Sequence, residues 1–261
     1  MFENERYQKI MEILERDKKV SVQKLVNTLY VSPATVRRDL CDMAKKGLLK
    51  RTYGGAILYA SSSQESALTL RENVNRTEKI AICARCLDFI GNNVSLFLDG
   101  SSTVTYLVDF LNERKYLTVV TSGLTCASLL TQKTTFATYI PGGLIKPHSN
   151  SLQGETASQG IERFHVDFFI FSCAGLSAEG GITEPNIEQA EIKKTMAKNA
   201  RIKILLVDSS KFGKTFFAES VSLENVDIII TDKKMPEEIR KPLVEMGIQI
   251  IECIGGGNES Q

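Results

Sequence analysis

No apolar stretch in this sequence approaches the ~18 consecutive residues that a membrane-spanning helix requires. The longest runs, such as Phe168–Cys173, are strand-sized. The first residues, Met1-Phe2-Glu3-Asn4-Glu5, are acidic and carry no apolar signal core, so export is not expected. Cysteine is scarce. Six in 261 residues are too few for a disulfide scaffold, and reduced thiols in a cytoplasmic chain are the expectation. Cys83-x-x-Cys86 has helical i, i+3 spacing and no second Cys/His pair nearby, so it reads as packing and no metal site is expected. There is no tandem repeat and no low-complexity tract. With 43% hydrophobic and 24% charged residues, the composition excludes disordered, collagen-like and coiled-coil chains.

Net charge is nearly absent too, at +1 from 32 basic and 31 acidic residues, but the balance hides a split. Residues 1–55 hold 12 Lys and Arg against 7 Asp and Glu, whereas residues 56–261 hold 20 against 24. A basic head on an acidic body points to a head that meets a polyanion.

The head reads as three helices and a hairpin. Tyr7, Ile10, Met11 and Leu14 fall on one face of a first helix over 3–16. Val20-Ser21-Val22 is a short β-like step, after which Ser21 caps a second helix carrying Leu25, Val26 and Leu29. Tyr30-Val31 reads as a turn. Ser32-Pro33 then opens a third helix that runs to about Lys46 and stops at Gly47. Val36, Leu40 and Met43 form its inward face. Leu48–Ile57, with Gly54-Gly55, is a small hairpin. This is the order of a winged helix-turn-helix, in which the start of the third helix meets base edges in the major groove. Ser32, Pro33, Ala34, Thr35, Arg37 and Arg38 lie there, and arginine suits guanine and phosphate alike. Lys50, Arg51, Tyr53, Gly54 and Gly55 on the hairpin, with Ser21 at the second cap, complete the expected DNA-binding set. The competing reading is an interaction module in which Arg37 and Arg38 merely pair with Asp39 or Asp42.

A polar, small-residue stretch, 60–66, reads as linker, within a linker region of 59–74. The domains are then 3–58 for the winged helix and 75–254 for the body. In the body, continuous apolar runs alternate with helical patterns. The runs are Val94–Leu98, Leu117–Val120, Phe136–Ile140, Val166–Cys173, Ile202–Val207, Val226–Ile230 and Ile248–Ile251. Helical patterns fall at about 76–91, 103–113, 124–132, 187–200 and 236–246, and the tail from Gly255 to Gln261 reads as frayed. Such alternation predicts an α/β domain with a mostly parallel sheet covered on both faces. Ligands of such sheets sit beyond the carboxyl ends of the strands, where this sequence places its polar and glycine clusters. These are Asp99-Gly100-Ser101-Ser102-Thr103, Thr121-Ser122-Gly123, Pro141-Gly142-Gly143, Ala174-Gly175 and Asp208-Ser209-Ser210-Lys211. Turns of this kind offer N–H groups and hydroxyls to an anion, Lys211 adds a positive charge, and Asp99 or Asp208 accepts from sugar hydroxyls. His148 falls in a polar loop at the same edge, and His165 reads as structural.

Val31-Ser32-x-x-Thr35-Val36-Arg37-Arg38-Asp39-Leu40, followed by Gly47 and Gly54-Gly55-Ala56, resembles the DeoR family of bacterial sugar-metabolism regulators. The resemblance continues through Glu65–Arg71, Lys79-Ile80-Ala81, Asp99–Thr103, Thr121-Ser122, Gly142-Gly143 and Asp208–Gly213, over roughly 3–253. It implies a repressor or activator whose C-terminal domain senses a sugar phosphate and is similar in fold to ribose-phosphate isomerases and CoA transferases. It also implies that Glu191 and Lys194 flank the pocket. Two positions depart from the family pattern. Ser101 stands where Asp-x-Gly-Thr-Thr has its glycine, and Ser122 stands where Thr-Asn has its asparagine.

The expected function is therefore a DNA-binding repressor of carbohydrate-metabolism genes, a homo-oligomer (dimer or tetramer) that binds double-stranded operator DNA and a small phosphorylated sugar. No membrane, cofactor, metal or catalytic residue is expected. The expected effector set is Asp99, Gly100, Ser101, Ser102, Thr103, Ser122, Gly142, Gly143, Gly175, Glu191, Asp208 and Lys211. The rival reading is a sugar-phosphate isomerase with a nucleic-acid tether, for which Asp99, Glu191 or Lys211 would supply the base.

Overall fold

The computed structural model describes residues 3–45, 48–57, 68–147 and 149–253, and the chain divides into two units, Met1–Val74 and Asn75–Gln261. Lys46, Gly47, His148, the 60–66 stretch and the tail from residue 254 lie outside the described residues.

In the first unit, α1 (Glu3–Asp17) buries Tyr7, Ile10, Met11 and Leu14, the face its spacing predicts. After β1 (Lys19–Ser21), the Ser21 hydroxyl accepts the Lys24 N–H at 3.1 Å and caps α2 (Val22–Leu29). Tyr30 ends α2 in the left-handed conformation at φ 54°, its N–H bonded to the Val26 carbonyl. Helix α3 (Pro33–Lys45) opens on Ser32, whose hydroxyl accepts the Thr35 N–H at 3.1 Å and whose carbonyl accepts that of Val36. Strands β2 (Lys50–Thr52) and β3 (Gly55–Ile57) form the wing hairpin, and β3 also pairs with β1. This is the winged helix-turn-helix that the sequence predicts. A β-carbon on Gly55 would lie 2.0 Å from the Val20 carbonyl oxygen, so only glycine fits where β3 meets β1. Within the 59–74 region read as linker, residues 68–73 form a helix, α4 (Leu68–Asn73), with Leu68 buried. The polar residues before it mask a short run of good helix formers (Leu, Arg, Glu).

One ion pair stands out in the core of this unit. The Arg6 guanidinium from α1 meets Asp39 of α3 in a two-pronged contact, Nε–Oδ2 2.6 Å and Nη2–Oδ1 2.9 Å, and both residues are buried.

The second unit is a seven-stranded, wholly parallel sheet. Its strands are β4 (Ser95–Leu98), β5 (Thr118–Thr121), β6 (Ala137–Tyr139), β9 (Val166–Phe171), β12 (Ala200–Val207), β14 (Ile228–Thr231) and β15 (Gln249–Glu252), in the order β15-β14-β12-β9-β4-β5-β6. Along each strand alternate residues serve opposite faces. Phe97, Val120, Phe169, Phe171, Leu205 and Ile229 join one core with α9 (Glu155–Ile161), α10 (Ile187–Lys198) and α11 (Glu237–Glu245). Leu96, Leu98, Val119, Ile170, Ile204 and Ile230 join the other with α5 (Arg76–Cys86), α6 (Ser102–Thr105), α7 (Val108–Leu111) and α8 (Leu124–Lys133). Two small antiparallel sheets stand outside the main one. They are the hairpin of β7 (Leu144–Lys146) and β8 (Ser151–Gln153), and a sheet of β10 (Gly175–Ser177), β11 (Gly181–Glu184) and β13 (Ala218–Glu219). Strand order reverses between β4 and β9: from β4 the chain steps outward to β5 and β6, and from β9 it steps the other way. That reversal opens a crevice beyond the carboxyl ends of β4 and β9.

Removing one partner of a buried ion pair leaves an uncompensated charge and costs about 3–5 kcal/mol. Arg6→Leu and Asp39→Leu should each destabilise the first unit by about that much, and the double variant by less than either single change. Urea unfolding followed by circular dichroism reads the difference.

Candidate functional site

The first unit presents a positively charged helix start. Arg37 and Arg38 are exposed on α3, and neither makes an ion pair among the described residues. The alternative in which they neutralise Asp39 fails, because Asp39 is held by Arg6. Pro33 and Ala34 are exposed beside them, Thr35 is half-buried, and Ser32 bonds the Thr35 hydroxyl at 2.9 Å. On the wing, Lys50, Arg51, Tyr53 and Gly54 are exposed. Tyr53 carries no apolar cover, although an aromatic ring usually gains by burial. Ser21 and Gly55 serve the fold: one caps α2 and the other permits the β1–β3 contact.

The second unit gathers charge at the reversal point. Lys193, from α10, places its ammonium against the Asp99 carboxylate at 3.2 Å, the Ser172 carbonyl at 2.6 Å and the Glu184 carboxylate. Burial alone lowers the pKa of this ammonium, but Glu184 and Asp99 more than reverse the effect and hold it charged. Asp99 is fully engaged: Oδ1 accepts the Ser101 N–H and Oδ2 the Ser172 N–H, each at 3.0 Å. Next to this group, Lys211 Nζ lies 2.8 Å from the Ser172 hydroxyl, 3.4 Å from that of Thr103 and 3.3 Å from Asp208. Lys79 donates to the Ser102 hydroxyl at 3.1 Å. Burial pushes the Asp208 pKa up. Lys211, the Ser210 hydroxyl, Lys79 and Asn75 together pull it the other way, down to about 2. Asn75, the first residue of this unit, binds Asp208 at 2.9 Å and the Ser210 hydroxyl at 3.0 Å. Beside Asp99, a narrow cleft of ≈ 10 Å³, room for about one water or one hydroxyl, is partly open to solvent and is lined by Gly100, Ser122, Ser151, Gln153, Gln189 and Lys193.

Comparison with known proteins accounts for both units. The DeoR-like helix-turn-helix domain model matches residues 6–62, and the DeoR C-terminal sensor domain model matches residues 74–233. The chain belongs to the DeoR family. It is 33% identical to the HTH-type transcriptional regulator GolR of Listeria innocua, over 96% of this chain and 98% of that one. It is 32% identical to the L-fucose operon activator of Haemophilus influenzae, over 91% and 95%. It is 30% identical to the glycerol-3-phosphate regulon repressor of Escherichia coli, over 97% and 100%. This DeoR-family chain therefore has transcriptional regulators of both signs among its relatives.

Within this DeoR-family sensor unit, the residues expected to meet an effector separate into three groups. Asp99, Gly100 and Ser122 line the cleft, and Thr103 and Lys211 meet beside it through Ser172. Ser101, Ser102 and Asp208 stand behind them: Ser101 caps α6 through the Val104 N–H, Ser102 takes the Lys79 donor, and Asp208 holds Lys211. The others do not line the cleft. Glu191 is exposed and paired with Lys194 at 2.9 Å, because a helical turn of 3.6 residues turns Gln189, Ile192, Lys193 and Met196 inward and rotates 191 and 194 outward. Gly142 and Gly143 form a left-handed turn at φ 80° and 107°, and a β-carbon on Gly143 would lie 2.8 Å from that of Ala157. Gly175 admits the Lys214 carbonyl, 2.3 Å from where its own β-carbon would stand. Cys83 and Cys86 are buried in the core, as their helical spacing implies, and burial drives both thiols toward the neutral form. Among the described residues, no three metal-binding side chains lie together and no helix is long and apolar enough to cross a membrane.

Lys193, Glu184, Ser172, Gln153 and Gln189 were not anticipated. The inward period of α10 carries a signal for Lys193 and Gln189. Ser172 sits at the end of an apolar run and reads as strand.

Because the folded protein holds Asp208 near 2, against a usual 3.8, its ionised form stabilises the fold. That contribution is complete above about pH 4 and is lost as pH falls through about 2. Asp208→Asn should lower stability at neutral pH by about 2 kcal/mol and flatten the loss between pH 4 and 2. Urea titrations across that range test it.

Proposed function

We propose that this chain is a cytoplasmic, sequence-specific repressor of carbohydrate-metabolism genes, controlled by a phosphorylated sugar bound in the second unit. The observation that carries the DNA-binding half is the contrast on α3: Asp39 is neutralised from within, while Arg37 and Arg38 face solvent and make no ion pair among the described residues. Arginines so placed at the start of the third helix are suited to guanine edges and phosphates. A single winged helix makes few base contacts, so a dimer or tetramer reading repeated half-sites is the expected working form.

For the sensing half, Lys211 supplies a half-buried cation at the strand-order reversal, with the hydroxyls of Ser172 and Thr103 beside it. A phosphate there would draw the ammonium from Asp208. Asp208 is also bonded to Asn75, the first residue of the second unit. A relative named for glycerol-3-phosphate supports a small phosphorylated polyol or sugar as the ligand class. The isomerase reading is weaker. Both Asp99 oxygens are occupied and Glu191 faces outward, so neither is poised to remove a carbon-bound proton.

Arg37→Ala and Arg38→Ala should each weaken operator binding by about 1–3 kcal/mol without changing thermal stability. Lys50→Ala and Arg51→Ala should instead weaken all DNA sequences alike and reduce the salt slope. Gel-shift titration measures both, and sedimentation of the complex should show at least two chains per operator. Unchanged operator affinity in both α3 variants would reject the DNA-reading assignment.

Lys211→Met should raise the effector concentration needed for response by about 10- to 150-fold, the effect of losing one charge-assisted bond. Operator affinity without effector should stay at the wild-type level. A response midpoint that does not move would reject Lys211 as the phosphate partner.

A further inference from the structure

Gln153, at the end of β8, is buried, and its Oε1 has no hydrogen-bond partner among the described residues. The other end of its amide is fixed: Nε2 donates to the Ser151 hydroxyl at 3.1 Å, which bonds the Ser149 hydroxyl at 2.9 Å. Ser151 is itself confined, since its β-carbon lies 3.1 Å from where a β-carbon on Gly100 would stand. The backbone is held as tightly. The Gln153 carbonyl oxygen lies 2.9 Å from the β-carbon position of Gly143, a residue that only glycine's freedom permits at φ 107°. The amide is therefore preorganised, and it lines the cleft beside Asp99, Ser122 and Lys193. Of its charged neighbours, Lys193 and Asp99 are committed to each other.

A buried carbonyl without a donor is costly, and a folded protein seldom keeps one unless something else supplies the donor. A phosphate oxygen would be repelled by Oε1. An alcohol O–H supplies the missing donor. We propose that Gln153 is a specificity-determining residue that accepts a hydrogen bond from a hydroxyl on the carbon chain of a phosphorylated polyol or sugar, whose phosphate lies toward Lys211. The proposal rests on reading this cleft as the effector site. It divides the ligand between two sets of groups: Lys211 with Thr103 and Ser172 for the anion, and Gln153 for the hydroxylated end. Ser172 joins the two, because its N–H binds Asp99 at the cleft and its hydroxyl binds Lys211.

The test is calorimetric titration of wild type and Gln153→Leu with inorganic phosphate, glycerol 3-phosphate, ribose 5-phosphate and fructose 6-phosphate. Wild type should bind at least one of the three phosphate esters more tightly than inorganic phosphate. Gln153→Leu should lose about tenfold in affinity for that ester, the equivalent of one hydrogen bond, and nothing for inorganic phosphate. Because the substitution removes an unsatisfied carbonyl along with one bond, the melting temperature of the ligand-free variant should match wild type. A drop of more than about 4 °C, or failure to fold, would assign Gln153 a structural role and overturn the proposal. Equal losses for ester and inorganic phosphate, or no loss for the ester, would overturn it as well. If wild type binds inorganic phosphate but no ester more tightly, the anion site stands and the Gln153 assignment falls. If wild type binds none of the four, the effector-site reading falls and takes this proposal with it.

Discussion

Lys193 reaches from α10 across the carboxyl ends of β4 and β9 and gives its ammonium to Asp99, Glu184 and the Ser172 carbonyl. Four separate parts of the second unit meet at that nitrogen: the turn after β4, the end of β9, strand β11 and helix α10. Lys193 is the one positive charge of this group, so removing it would leave two buried carboxylates facing each other without a counter-ion, whereas removing either carboxylate leaves a balanced pair. The arrangement fixes Asp99, and Asp99 in turn receives the N–H groups that shape the turns after β4 and β9. Lys211 and Gln153 flank this group without belonging to it.

The first unit handles charge in a related way with a different outcome. Arg6 and Asp39 consume each other's charge in the interior, two helices apart, and so set the angle between α1 and α3. The arginines immediately before Asp39 in the sequence point the other way. Three consecutive residues, Arg37, Arg38 and Asp39, thus divide into a polar surface and an internal brace, because a helix rotates by about 100° at each residue.

Much of this was legible in the sequence. The seven strands of the large sheet are readable as continuous apolar runs; in the inner strands β14, β12, β9, β4 and β5 this follows from burial on both faces, whereas the edge strands β6 and β15 are partly exposed. The head is readable because its caps are local: Ser21 and Ser32 act within three residues of themselves. What escaped reading depends on distant contacts. The pattern over 103–113 suggests one helix, yet α6 and α7 are separate, with Tyr106 and Leu107 bonded to Thr103 and Val104 in tighter i−3 turns. The β-branched run Thr103-Val104-Thr105 favours that break. Helix α9 hides behind Gly160, a poor helix former, which is required because a β-carbon there would lie 2.2 Å from the Pro141 carbonyl oxygen. The β7–β8 hairpin has strands of three residues each, too short to show a period. Gln153 sits on that hairpin, so the sequence carried no signal for it.

The contact between Gly100 and Gly123 has a consequence for how sensors of this shape diversify. A β-carbon on Gly123 would lie 2.7 Å from the Gly100 α-carbon, so the turns after β4 and β5 touch backbone to backbone. The floor of the cleft is then a rigid jaw whose width no side-chain replacement can adjust. Its opposing jaw is built from side chains on β8 and α10, of which Ser151, Gln153 and Gln189, unlike Lys193, lie outside the charge group that ties β4 to β9. The shape of this cleft is most easily changed at that second jaw, while the glycine-on-glycine floor holds the turns after β4 and β5 in register.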